Sequence, residues 1–145
     1  MAGNATQAVL DFIFNTHLDS FPTEVTREGK RCVADGIGVM LAGSASEASK
    51  IVRSQIASMG GREEATALGG EGLRGPASLI ARANGVAGHA LDFDDTQLSN
   101  WPDRIFGLLT HPTIPPLSAA LALGEKLGVS GAQFLNAFLT GFEVE

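Results

Sequence analysis

Residues 76–96 read PASLIARANGVAGHALDFDDT, an apolar stretch that opens with a proline and ends in three carboxylates. Pro76 suits the first turn of a helix, because its missing N–H would have had no helical partner there. We expect this helix to run to about Ala90. The most acidic part of the chain therefore follows directly on an apolar helix.

Helical patterns occur on both sides of this stretch. Apolar residues recur at steps of three and four, which places them on one stripe of a helix. Ser44 with Glu47, and Ser130 with Gln133, are capping-box patterns that predict helix starts. The predicted helices cover about residues 6–18, 23–41, 44–59, 76–90, 117–127 and 130 onwards, and residues 64–68 are the single strand candidate. The prediction is an all-α, multi-helix domain with at most one short strand.

Glycines weaken the second predicted helix. Gly29, Gly36 and Gly38 each cost about 1 kcal/mol relative to alanine inside a helix. We therefore expect this segment to be helical only where neighbouring helices pack closely against it.

Composition limits the class of protein. The 145 residues contain 44% hydrophobic and 18% charged residues, which favours one packed domain. The net charge of −6, without a basic cluster, argues against nucleic acid as a partner, and an anionic substrate would need local cations or helix N-termini. No apolar run is long enough to predict a membrane span. The single Cys32 forms no internal disulfide, which fits a cytoplasmic protein.

The acidic segment has more than one interpretation. Asp92, Asp94, Asp95 and Thr96 crowd together, and such crowding needs a cation, a proton or hydrogen-bond donors to relieve it. A solvated helix end with acidic caps is an equally good interpretation. The segment lacks the glycine and final glutamate of a calcium loop, and no His or Cys stands at metal-ligand spacing. We therefore predict no metal.

Outside this segment, one histidine and two arginines are candidate catalytic or binding residues. His111 stands directly before a proline, which stiffens its backbone, and imidazole moves protons near neutral pH. A surface or capping role is the alternative for His111, and His17 and His89 are interpreted as structural. Arg82 and Arg104 are candidates for holding a carboxylate through paired N–H groups, or are surface charges.

Several of these motifs resemble one known family. Residues 83–96 (ANGVAGHALDFDDT), 111–113 (HPT) and 141–145 (GFEVE) closely resemble the amino-terminal region of MmgE/PrpD proteins. Residues 35–44 (DGIGVMLAGS) are also similar to the family. The resemblance covers essentially the whole chain. In several members the His-Pro pair follows DFDDT within a few residues, whereas here a longer segment intervenes.

The resemblance implies a homodimeric lyase with a large helical domain and a smaller α/β lid domain. Members include 2-methylcitrate dehydratase of propionate catabolism, cis-aconitate decarboxylase and iminodisuccinate epimerase, which transfer a proton beside a carboxylate without a metal or other cofactor. It implies that residues 1–145 form an incomplete helical domain, without the lid and the rest of the chain. We therefore expect this chain to be inactive alone.

The resemblance also suggests roles for single residues. His111 is the expected acid or base, Asp92 orients it or shares its proton, and Thr96 hydrogen-bonds a substrate carboxylate. Arg82 and Arg104 are not part of the matching motifs, and they stay substrate-binding candidates on the chemistry of their side chains alone. The expected reaction is dehydration of a tricarboxylate-like substrate such as 2-methylcitrate. Decarboxylation, epimerisation and a noncatalytic helical interaction module are the alternatives.

Overall fold

The computed structural model describes residues 4–97 and 110–144. Within them, helices account for most of the chain, and the all-α prediction is confirmed. The helices are α1 (Ala5–Asn15), α2 (Thr23–Gly43), α3 (Glu47–Met59), α4 (Ala77–His89), α5 (Ile114–Leu127) and α6 (Gly131–Val144), with a 3₁₀ turn at Leu18–Ser20. No helix in these ranges is both long enough and apolar enough to cross a membrane.

The predicted strand has a partner that the sequence pattern did not indicate. β1 (Ala65–Thr66) pairs antiparallel with β2 (Arg74–Gly75), and Ala65 lies opposite Gly75. Each strand has only two residues, too few for the alternation of apolar and polar residues that identifies a strand. The hairpin leads into α4.

The helix starts differ in detail from the predictions. The predicted cap Ser44 is wrong, because α2 continues to Gly43 and the Ser44 hydroxyl donates to the Leu41 carbonyl at 2.7 Å. Ser46 caps α3 instead, accepting from the Ser49 N–H at 3.2 Å. The capping box before α6 is confirmed, since the Ser130 N–H donates to the Gln133 side chain at 2.9 Å and the Gln133 N–H donates back at 3.3 Å.

Two buried clusters flank α4. Met40, Leu117 and Phe138 are almost fully buried where α2, α5 and α6 meet. Ile56 and Ile80 are buried in a second cluster that joins α3, α4 and the hairpin. Replacing one of these large side chains with alanine costs about 2–5 kcal/mol. These clusters fix α4 against its neighbours.

Glycines allow α4 to approach α2 and α5 closely. A Cβ at Gly43 would collide with the backbone carbonyl of Ala87, and one at Gly88 would lie 2.7 Å from the Ile114 side chain. The carboxyl end of α4 is therefore held next to the beginning of α5. This contact brings His89, the last residue of α4, near the segment that precedes α5.

The expectation of close packing along α2 is confirmed for two of its three interior glycines. A Cβ at Gly29 would lie 2.6 Å from Leu139, and one at Gly36 would lie 2.5 Å from Leu117. Gly38 faces open space. Tertiary contacts with α5 and α6 therefore stabilise a helix whose composition alone is unfavourable.

α1 contributes little to either cluster. None of its residues is buried, and the Phe14 side chain is 76% exposed. The candidate site lies elsewhere, at the end of α4.

Candidate active site

The acidic segment begins with a turn at the end of α4. The Asp92 N–H donates to the His89 carbonyl at 3.1 Å, and Asp92 has a φ of 55°. This left-handed conformation is uncommon outside glycine, although aspartate and asparagine adopt it more readily than most residues. The turn redirects the chain so that Asp94 lies back against His89.

Two further contacts tie the acidic segment to the start of α5. The Asp95 carboxylate accepts from the Thr113 N–H at 3.2 Å and from the Thr113 hydroxyl at 2.7 Å. Gln97 and Thr110 form an isolated antiparallel bridge, in which the Gln97 N–H donates at 2.9 Å. The ends of the intervening segment therefore lie side by side. This bridge brings His111 close to the acidic residues despite its distance along the chain.

Four side chains meet at this point, and we call them the histidine–aspartate cluster: His89, Asp92, Asp94 and His111. The Asp94 carboxylate is 1% exposed, and its oxygens lie 3.0 and 3.1 Å from Nδ1 of His89. Oδ2 of Asp94 also lies 3.2 Å from Nδ1 of His111. This second contact lacks hydrogen-bond geometry, and Nδ1 of His111 is buried without a hydrogen-bond partner. The Asp94 carboxylate is thus hydrogen-bonded to one imidazole and in close contact with the other.

The other two contacts of the cluster are looser. Oδ1 of Asp92 lies 3.7 Å from Nε2 of His111, and the Asp92 side chain is 78% exposed. The His89 and His111 rings are 4.6 Å apart and inclined at 70°. Asp92 is therefore an exposed neighbour of His111, whereas Asp94 is its buried neighbour.

Three members of the cluster, His89, Asp94 and His111, line one side of a pocket of about 640 Å³, whereas Asp92 is not part of its lining. α4, the segment Thr110–His111 and the first turns of α5 form its walls. The polar side chains of the lining are Arg82, His89, Asp94, Thr110, His111 and Ser118, set among apolar residues. Pockets that bind small molecules have this size and mixture of surfaces. The pocket is large enough for a small molecule, and both imidazoles lie at its wall.

The structure brings together some of the residues singled out in the sequence. His111 and Asp92 are neighbours, and Arg82 lines the same pocket, where its Nη2 donates to Gln55 at 3.0 Å. Thr96 is exposed and is not part of the pocket lining. Arg104 lies outside the described residues. Their predicted roles in substrate binding stay predictions.

The same cluster has the composition of a metal site. Its four residues each offer a ligand atom, and these atoms all lie within 4.8 Å of one another. Two imidazoles and two carboxylates form a donor set that Zn²⁺ and similar divalent cations accept. The argument that no histidine stands at ligand spacing to the acidic residues is therefore wrong. Metal independence itself stays a prediction.

Sequence reasoning missed two members of the cluster. The sequence pattern predicts a structural role for His89 and leaves Asp94 between a helix cap and a functional acid. In the structure Asp94 contacts His111, and His89 is hydrogen-bonded to Asp94. The available signal was a histidine at the carboxyl end of a helix with acids shortly after it. That pattern is also typical of helix capping, so it could not separate the two interpretations.

The sequence is similar to that of known proteins over nearly its whole length. Residues 7–145 match the sequence model of the MmgE/PrpD N-terminal domain. Among curated proteins, cis-aconitate decarboxylase of Mus musculus is 30% identical over 149 residues, and that of Homo sapiens is 31% identical over 156 residues. Both alignments cover 100% of this chain and 29% of the relative. The chain thus spans less than a third of the length of these relatives.

Proposed function

The chain belongs to the MmgE/PrpD family through its N-terminal domain, and we propose that it supplies proton-transfer groups to a lyase that acts on a small tricarboxylate. The observation that carries this proposal is the histidine–aspartate cluster at the wall of the pocket. Imidazole is the side chain most often used for general acid–base catalysis. A buried carboxylate beside it restricts how the ring can turn.

His111 is the proposed acid or base. Its side chain is 29% exposed, so the ring is held by its surroundings while one edge can still face the pocket. Nδ1 is directed towards Asp94, and Nε2 lies on the side of the exposed Asp92. Asp92 orients the ring or exchanges a proton with it.

A substrate with several carboxylates must be attracted locally, because the chain as a whole is acidic. Arg82 is the only Arg or Lys that lines the pocket in the described part of the chain. Its guanidinium is bonded to an uncharged side chain, Gln55, rather than to a carboxylate. Arg82 can therefore form a paired hydrogen bond with a substrate carboxylate without first breaking an ion pair.

The proposed first reaction is dehydration of a substrate such as 2-methylcitrate. A base removes the proton from the carbon beside a carboxylate, and the C–H electron pair becomes the new C=C bond. The C–O bond breaks, and the departing hydroxyl receives a proton and leaves as water. The proton transfers are what His111 and its neighbours supply.

Decarboxylation of cis-aconitate is the second candidate reaction, because both curated relatives are named for it. In that reaction a C–C bond breaks to release CO₂, and the electron pair left behind on the substrate is protonated. The same cluster could supply that proton.

The test is to supply 2-methylcitrate and cis-aconitate separately to the whole protein that contains this chain. Formation of the unsaturated tricarboxylate, or release of CO₂, identifies which bond breaks. Lack of turnover of either substrate by a folded protein, together with the absence of binding at the pocket, would overturn the proposed function.

The same assay tests the metal prediction. We expect turnover to be unchanged after prolonged chelation and after addition of Zn²⁺ to a chelated sample. Loss of activity on chelation, with recovery on adding a divalent cation, would instead assign the four side chains to a catalytic metal.

A further inference from the structure

His89 and His111 reach the same pocket from different parts of the fold. His89 is the last residue of α4, whereas His111 precedes α5, and both line the pocket wall. Their ring centroids lie 4.6 Å apart. Neither ring is enclosed, since His89 is 57% and His111 is 29% exposed. A bound substrate can therefore contact both.

Asp94 fixes which nitrogen of His89 is available. An ionised carboxylate only accepts hydrogen bonds, so Nδ1 of His89 must carry the proton that it donates at 3.0 to 3.1 Å. In the neutral ring the lone pair then resides on Nε2, on the far side of the ring from Asp94. Since Asp94 is 1% exposed, water does not compete effectively for its oxygens. His89 is thus held with a proton-accepting nitrogen directed away from the buried carboxylate.

The elimination proposed above requires two proton transfers, one from carbon and one to oxygen. A single imidazole would have to move between the two atoms, whereas two imidazoles on one wall can serve them separately. Asp92 is a less suitable second group, because it is 78% exposed and lies 3.7 Å from His111.

We propose that His89 is the second proton-transfer residue of the reaction and is paired with His111 through Asp94. One imidazole takes the proton from the substrate carbon, and the other gives a proton to the departing hydroxyl, which leaves as water. Asp94 is the positioning residue: it is hydrogen-bonded to Nδ1 of His89 and lies 3.2 Å from Nδ1 of His111. This inference rests on the proposed function, but the tests below can contradict the inference without contradicting the proposed function.

The kinetic test compares three single substitutions in the whole protein: His89→Gln, His111→Gln and His17→Gln. The chain has three histidines, so the exposed His17, which lies outside the pocket lining, is a matched control. For His89→Gln we expect kcat to fall by about 10²–10⁴-fold with KM changed less than about threefold. For His17→Gln we expect both constants to be unchanged.

Solvent exchange assigns the two roles. One of the variants His89→Gln and His111→Gln still contains the base. In heavy water that variant should exchange the substrate C–H proton for deuterium without completing the elimination. Turnover of His89→Gln equal to that of His17→Gln would overturn the pairing. Full activity of His111→Gln would instead overturn the proposed function itself.

A measurement without substrate tests Asp94 directly. Asp94→Asn should shift the imidazole ¹⁵N signals of His89 and His111, while those of His17 stay in place. The protein must retain its helical circular dichroism in this variant, or in Asp94→Glu if the asparagine variant unfolds. A shift of only one pocket histidine, or of neither, would contradict the shared carboxylate.

Discussion

Two polar clusters of this molecule are built from different kinds of charge. The histidine–aspartate cluster combines carboxylates with imidazoles. A second group, which we call the glutamate cluster, lies where the hairpin meets the end of α5 and consists of Glu64, Thr66, Arg74, Glu125 and Lys126.

The glutamate cluster pairs each carboxylate with a permanent cation. Arg74 lies 2.6 Å from Glu125, and Lys126 lies 3.1 Å from Glu64. A hydrogen bond from the Ala77 N–H, together with Lys126, lowers the pKa of Glu64. These carboxylates stay ionised. Their role is structural, because they join the hairpin to the neighbouring helices.

In the histidine–aspartate cluster, by contrast, the described partners of Asp92 and Asp94 are histidines alone. Histidine gains and loses its proton near neutral pH, whereas arginine and lysine keep theirs. Clustered carboxylates alone therefore do not identify a functional site. The histidine–aspartate cluster differs from the glutamate cluster in the kind of cation beside its carboxylates and in the pocket that adjoins it.

The largest expected effect is that of His111→Gln on turnover. Removing one acid or base should lower kcat by about 10²–10⁴-fold, or about 3–5 kcal/mol of transition-state stabilisation, at little cost to folding. Steady-state kinetics and thermal unfolding measure the two quantities. Glu125→Gln is the matched variant from the glutamate cluster and should leave kcat unchanged. If both substitutions reduced kcat equally, the division between the clusters would be wrong.

The fold was largely predictable because its signals are local. Pro76 before α4 and the Ser130–Gln133 capping box each act within one helical turn, and both gave the correct helix start. The Ser44 cap failed because a competing signal, Ser46, lies two residues further on. The β2 strand was missed because its two residues pair only when a tertiary neighbour aligns them.

The site was only half predictable because its contacts are not local. His111 stood out beside its proline, but its partner Asp94 depends on the left-handed turn at Asp92. The bridge between Gln97 and Thr110 then sets the distance between the two motifs. Neither feature follows from residue spacing, since each depends on how α4 and α5 pack.

A smaller effect is expected where α4 meets α5. In Gly88→Ala the new Cβ would lie 2.7 to 3.1 Å from three atoms of the Ile114 side chain, so this side chain or the start of α5 that carries it must shift. We expect unfolding to become easier by about 1–3 kcal/mol. Activity should also fall, because the shift moves His89 relative to His111.

Gly38→Ala is the control for this substitution, because Gly38 is also helical but has open space around its Cβ position. It should stabilise the protein by up to about 1 kcal/mol without changing turnover. Chemical denaturation of both variants, with kinetics on the same samples, checks the pair. Unchanged stability and turnover in Gly88→Ala would show that the close approach does not hold the two histidines together.

The smallest effect is expected in the glutamate cluster. Partial burial raises the pKa of Glu125, but hydrogen bonds from Thr66 and Arg74 outweigh it and lower the pKa overall. A lowered pKa means that the folded state favours the carboxylate. Its contribution is therefore complete above the unfolded-state pKa and is lost as the pH falls through the folded-state value.

Glu125→Gln should accordingly lower the free energy of unfolding at neutral pH by no more than about 1 kcal/mol, because the side chain is 38% exposed and water screens the pair. The difference from the parent protein should shrink as the pH falls below about 4, where Glu125 takes up a proton in the parent as well. Urea unfolding across this range measures it, with Glu63→Gln as an exposed control outside the ion pairs of the described chain. If the difference in free energy of unfolding between the parent and Glu125→Gln grew as the pH fell, the folded state would favour protonated Glu125. The glutamate cluster would then resemble the histidine–aspartate cluster in exchanging protons.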